Sequence, residues 1–243
     1  MGVLMKKVLL KCAATVCAVG ASQVCPGMEK DGNTVGLWNF NEGSGTVIHN
    51  AVDKTHDLRI AGAPKNGPKA VTPKWVVTPD GKGLLFRAED RNRLGGRAVE
   101  LKDQLTIEMW LKVYKYGKRM GLYGAMNYKK NGFRTGLSSQ MNIGMTLNGK
   151  GKEIGVESKE RLKPGEWYHF AATYDGKTAK IYINGKLDNE KELPGYDLSG
   201  VRDAQLGYTG GTPYFNGVVD SIKISNVALS DFSKSLASFK QKK

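Results

Sequence analysis

The chain has 243 residues, of which 40% are hydrophobic and 25% charged. That balance excludes a disordered or low-complexity chain and suits one folded domain of sandwich size. Lysine and arginine outnumber the acids by 37 to 23, a formal net charge of +14, so the surface attracts polyanions over long range. The basic residues are spread through the sequence, which argues against a nucleic-acid partner.

The N-terminus reads as an export signal. Lys6 and Lys7 precede the mostly apolar stretch Val8 to Gly20, which ends in the small residues Gly20, Ala21 and Ser22. The stretch is too short to cross a bilayer as a helix. Residues 1–22 are therefore expected to be a signal peptide, and 23–243 one secreted, periplasmic or cell-surface domain. Removal takes away Lys6, Lys7 and Lys11 and lowers the formal +14 to +11. Cys12 and Cys17 leave with the signal, so Cys25 remains without an intramolecular partner.

Strand signals follow. Val35–Phe40 reads as an opening strand, followed by the glycine-containing loop Asn41–Gly45. Residues 61–83 carry Pro64, Pro68, Pro73 and Pro79 and read mainly as connecting structure. Gly83–Phe86 and Ala98–Leu101 read as strands around the charged loop at 89–93. In Leu105–Val113 the residues Leu105, Ile107, Met109, Leu111 and Val113 alternate with Thr106, Glu108, Trp110 and Lys112. Further strands are expected near 121–128, 133–138, 141–147, 154–157, 205–208 and 215–224. Between 165 and 185 the turn dipeptides Asp175-Gly176 and Asn184-Gly185 bracket the alternation Ala179, Ile181, Ile183, the pattern of an antiparallel meander with two-residue turns. Ser230 reads as the N-cap of a short C-terminal helix that ends in Lys240, Lys242 and Lys243.

These segments also carry a family resemblance. WYHFAATYDGKTAKIYING at 167–185 and FNGVVDSIKISNVALSD at 215–231 resemble the laminin-G-like, concanavalin A-like jelly-roll domains of secreted bacterial proteins. LWNFNEGSGTVIHNA at 37–51 resembles the opening strand of such domains, and LTIEMWLKV at 105–113 the first central strand. The resemblance implies an all-β, antiparallel two-sheet jelly-roll sandwich, here with a short C-terminal helix. It also implies a non-catalytic domain that binds carbohydrate or another extracellular polymer. A structural or adhesive protein–protein module is the alternative, with a glycoside hydrolase or polysaccharide lyase behind it.

Related folds host glycosidases, which need two carboxylates a fixed distance apart. No Glu-x-Asp-x-Glu strand is evident: Glu108 has no acidic partner at i+2 or i+4, and Glu190 and Glu192 lie in a polar stretch after a turn. His169 shares a strand face with Trp167 and Ala171. Pairing of the two central strands would bring it to Glu108 and Trp110, a polar and aromatic group on the face where such folds hold glycans. Lys129, Lys130 and Arg134, in KKNGFR, are the expected basic rim for an anionic polysaccharide. His49, His56 and His169 offer no zinc-ligand spacing. The resemblance does imply a structural calcium ion between the opening and last strands, at positions matching Asp220 and Asn41. Asn41 stands where that family often has Asp.

Overall fold

The computed structural model describes residues 27–61, 71–115 and 117–239. The expected leader, Cys25 and residues 240–243 lie outside the described residues. The strands in chain order are β1 (Thr34–Trp38), β2 (Val47–Ile48), β3 (Leu58–Ile60), β4 (Lys74–Thr78), β5 (Gly81–Phe86), β6 (Leu94–Arg97), β7 (Leu105–Val113) and β8 (Met120–Asn127). They continue with β9 (Asn131–Leu137), β10 (Asn142–Gly149), β11 (Lys152–Arg161), β12 (Trp167–Tyr174), β13 (Thr178–Ile183), β14 (Lys186–Glu192), β15 (Asp203–Leu206) and β16 (Gly217–Ser225). Among the described residues one α-helix, α1 (Ser233–Ser238), follows.

Every strand pairing is antiparallel, in two sheets. Sheet A runs β14-β13-β12-β7-β16-β5-β4, with β1 also paired to β16. Sheet B runs β11-β10-β9-β8-β15-β6-β3-β2. The alternation read from the sequence fixes which side chains fill the space between them. Leu105, Ile107, Met109, Leu111 and Val113 of β7 are all fully buried, in one cluster with Leu122, Phe133, Ile143, Met145 and Leu147 of sheet B. Burying one such leucine or isoleucine contributes roughly 1.5–3 kcal/mol. This core makes the sandwich one cooperative unit and holds the outer faces as rigid platforms.

The meander forms as the turn chemistry dictates, with one difference. Asn184 and Gly185 both take positive φ, 51° and 76°, as a two-residue turn requires, and pair Ile183 with Lys186. At the other tip only Gly176 has positive φ. Asp175 instead accepts the Lys177 and Thr178 N–H groups on its carboxylate at 2.9 and 2.6 Å, so its loop is longer than a two-residue hairpin.

Other expectations are corrected. A strand, β4, forms inside the segment read as connection, because Trp75, Val76 and Val77 suit a strand and Pro79-Asp80 begins the turn into β5. The strand expected at Ala98–Leu101 lies earlier, as β6; its Gly95 and Gly96 hide the apolar alternation. Ser230 does not cap α1. Phe232 occupies that position without a side-chain hydrogen bond, while Asp231 accepts from the Ser233 N–H at 2.9 Å. On the outward face of β7, Thr106, Glu108 and Trp110 are buried as well.

Candidate functional site

The outer face of sheet A carries the polar and aromatic group expected from strand pairing. His169 of β12 lies directly across from Trp110 of β7, and Ala171 across from Glu108. His169 Nε2 is 3.2 Å from Glu108 Oε2, and its ring meets Trp110 edge-on at 5.3 Å. Lys223 Nζ lies 3.8 Å from the other Glu108 oxygen and 2.8 Å from Asp31. Partial burial opposes ionisation of Asp31, but the Lys223 ammonium and the Asn33 N–H outweigh it and hold that carboxyl below its usual range. The network joins four chain segments, with the Lys223 ammonium set between the Asp31 and Glu108 carboxylates, and a charge lost from it leaves a buried partner uncompensated.

A lid of the chain's own residues closes this face. The Phe239 ring stacks on Trp110 at 3.9 Å with an interplanar angle of 9°, and Phe232 packs against His169 and Tyr182. Trp110 Nε1 donates to the Ser235 carbonyl at 3.1 Å. The Glu108 and His169 side chains are 1% and 0% exposed. Glu108, Trp110 and His169 therefore come together as expected, but beneath the C-terminal segment and with no face open to a ligand. The apolar surface of Leu37, Trp110 and Tyr182 needs a cover, and Phe232, Leu236 and Phe239 supply it.

The outer face of sheet B is open over β9, β10 and β11, where it holds a pocket of about 280 Å³. Cross-strand register puts Gly124, Arg134, Thr146 and Gly155 in one outward row, and Gly121, Gly136, Gly144 and Glu157 in the next. The floor is glycine-rich for a steric reason: a Cβ on Gly136 would sit 2.5 Å from the Met120 carbonyl oxygen, and one on Gly155 2.7 Å from that of Met145. The walls are polar. Arg134 pairs with Glu153 at 2.5 Å and interacts with the Tyr128 hydroxyl, whose own ionisation is suppressed chiefly by burial. Arg119, Glu157, Thr209 and Thr212 complete the lining. Beside it Tyr208 and Tyr214 stack at 4.8 Å, with the Arg93 guanidinium 6.0 Å from the Tyr208 ring centre.

Lys129 and Lys130 occupy the exposed β8–β9 turn next to this pocket. The Lys150 N–H donates to the Lys130 carbonyl at 2.6 Å, so the β8–β9 and β10–β11 turns abut. The exposed residues Lys129, Lys130, Lys150 and Lys152 thus share one end of sheet B with Arg134. Sequence reading found the first pair and Arg134. It missed Lys150 and Lys152, which the NGKGK turn at 148–152 could have flagged, and it missed Glu153, which shares parity with Glu157 on β11.

Residues 87–232 match the family profile described as the concanavalin A-like lectin/glucanases superfamily. The chain belongs to that superfamily. Among proteins of this fold it is similar to domain 4 of AbnA, a GH43 extracellular arabinanase from Geobacillus stearothermophilus, solved with arabinotriose. The TM-score is 0.69 at 17% identity, over 86% of this chain and 98% of that domain. The botulinum neurotoxin serotype G binding domain is similar with a TM-score of 0.66 at 14% identity, over 85% of this chain and 50% of that one. In sequence, pappalysin-1 of Mus musculus is 26% identical over 124 residues, which are 44% of this chain and 8% of pappalysin-1. The chain thus spans a small part of that curated relative.

The cation site that the superfamily resemblance implies can be tested against the residues present. Asp220 is buried on β16 and accepts a hydrogen bond from the Thr78 hydroxyl. Burial, reinforced by the nearby Asp80 carboxylate and opposed by Thr78, pushes its pKa up to about 7. Asn41 Oδ1 lies 3.0 Å from where a Cβ on Gly81 would stand, so its amide oxygen borders the same Thr78–Gly81 turn. Two buried carboxylates beside an amide oxygen are the hard donor set that calcium takes. Asp220, Asp80 and Asn41 thus border one turn, and Asp80 joins the two positions expected from sequence.

Proposed function

We propose that this chain is an exported, non-catalytic carbohydrate-binding domain with a preference for acidic polysaccharides. The observation that carries the reading is the open sheet B pocket, with Arg134 at its edge and Lys129, Lys130, Lys150 and Lys152 beyond it. The glycine floor lets a sugar ring approach the backbone. Thr146, Thr212, Arg119 and Glu157 offer hydrogen bonds to hydroxyls, and Tyr208 with Tyr214 offers ring area at low entropy cost. Carboxylate or sulfate groups outside the pocket would meet the lysine rim. The arabinotriose complex of the similar arabinanase domain supports carbohydrate as the ligand class. Export rests on the basic and apolar composition of residues 1–22.

Binding without cleavage accords with the state of the pocket's acids. A glycosidase works with a pair of available carboxylates, and of the two acids lining the pocket, Glu153 and Glu157, Glu153 is already engaged by Arg134. Asp220, Asp80 and Asn41 would hold a structural calcium ion, whose chemistry there is to neutralise buried carboxylates and tie the last strand to the β4–β5 turn. The test is an array of neutral and of carboxylated or sulfated polysaccharides read at two salt concentrations. Acidic glycans should bind, weakening steeply with salt as screening shortens. Binding to no glycan defeats the reading and leaves the protein–protein module, whereas release of reducing ends defeats the non-catalytic claim.

A further inference from the structure

Whether a glycan lies across a domain or inserts its end depends on what stands at the ends of the pocket. On sheet B one side is closed by the chain itself. The segment from Gly207 to Phe215 leaves β15 and lies flat over β8. A Cβ on Gly124 would sit 2.9 Å from Thr209 Cγ2, and one on Gly121 2.7 Å from the Thr209 nitrogen. Glycines at both positions are what let this loop rest on the sheet. It is pinned there by Gly207 N–H to the Leu122 carbonyl at 2.7 Å and by Gly121 N–H to the Pro213 carbonyl at 2.9 Å. The hydroxyls of Thr209 and Thr212 are 3.1 Å apart, and both residues line the pocket as its wall.

The wall divides the outer face of sheet B. Outward positions on β15 and β6, such as Gln205 and Gly95, continue the same row as Gly124 and Arg134 but lie beyond the loop. A polysaccharide lying along that row would have to pass through the loop. The pocket volume, about 280 Å³, also lies just below the ~300–1,000 Å³ range of pockets for drug-sized ligands. It suits about one or two sugar rings.

Resting on the carbohydrate-binding reading above, we infer that the sheet B pocket receives the terminal unit of a glycan chain rather than an internal stretch. The end ring abuts Thr209 and Thr212, and its hydroxyls reach Thr146, Arg119 and Glu157. The rest of the chain leaves over β11 or past the lysine rim, where its charges add affinity.

The experiment uses the full chain with polygalacturonate, alginate, hyaluronan and heparin, each intact and as oligomers of about two to ten units. At equal mass of glycan, cutting the polymer multiplies ends. End recognition predicts that the mass concentration for half-saturation falls in proportion to the number of ends. It also predicts that chemical modification of one chain end lowers affinity at least tenfold. Thr146→Trp, at a half-exposed position in the pocket, should abolish oligomer binding with an unchanged melting temperature. Binding that follows total mass and ignores both modified ends overturns the inference while the carbohydrate reading stands. Oligomer binding that survives a folded Thr146→Trp overturns the pocket's part in it. If none of the four glycans binds in any form, the acidic-polysaccharide reading and the inference fall together.

Discussion

The two outer faces of this sandwich are built by the same alternation and end in opposite states. On sheet A the outward side chains include Trp110 and Tyr182, and the chain folds its own C-terminal segment over them. On sheet B the outward row is mostly glycine with Arg134, Thr146 and Glu157, which needs no apolar cover, and the surface over β9, β10 and β11 stays open while the 207–215 loop lies over β8. The group with the more chemical appearance, Glu108–His169–Trp110, is the one sealed away. A polar cluster on a sheet face is a ligand site only if nothing apolar beside it demands burial. Here the aromatic neighbours that seemed suited to stacking sugars stack Phe239 instead.

Breaking the sealed face should give the largest effects, and they should be on stability. Glu108→Ala leaves His169 without its hydrogen-bond partner and Lys223 with the partly exposed Asp31 carboxylate alone. Loss of about 3–5 kcal/mol is expected for a broken buried pair, read by urea denaturation, with glycan affinity of the remaining folded protein unchanged. Phe232→Ala removes a ring packed between His169 and Tyr182 and should cost about 3 kcal/mol, again without loss of affinity. An affinity loss in either folded variant would return ligand binding to sheet A.

The sequence made the strands and the core legible because the physics is local. Alternation in β7 and β13 and the positive-φ demand of Asn184-Gly185 act on neighbouring residues. It also brought Glu108, Trp110 and His169 together through strand pairing. What it could not reveal was the cover, since the stacking of Phe239 on Trp110 joins residues far apart in the chain. The sheet B pocket was hidden for the opposite reason. Its floor is glycine, which carries no chemical signature, and its Glu153 and Arg134 lie on separate strands joined only by register. Asp80 escaped notice because Pro79-Asp80-Gly81 reads as a turn before it reads as a ligand source.

The proposed cation site should give a middle-sized effect that belongs to neither face. An ion bound only by the folded state should stabilise it by about 2.7 kcal/mol at a hundred times its Kd. Melting temperature should therefore rise with calcium over chelator, and Asp220→Ala should erase the difference. Identical melts of the unaltered protein under both conditions would remove calcium.

Smaller stability effects, with a change in binding instead, are expected on the open face. The Arg134–Glu153 pair is partly exposed, so Arg134→Ala should cost at most about 1 kcal/mol in stability. Its loss should lower affinity for an acidic glycan about tenfold. Charge reversal at Lys129 and Lys130 together should leave the melt unchanged and flatten the salt dependence of binding. A salt response identical to that of the unaltered protein would take the rim out of recognition.

Amide hydrogen exchange with and without a bound acidic oligosaccharide tests most directly which face serves. The account predicts new protection in residues 120–157 and in the 207–215 loop, with no change in 105–113, 167–174 or 226–239. Protection at Trp110 and His169, accompanied by faster exchange in 226–239 as the C-terminal segment lifts away, would contradict it and make sheet A the binding face.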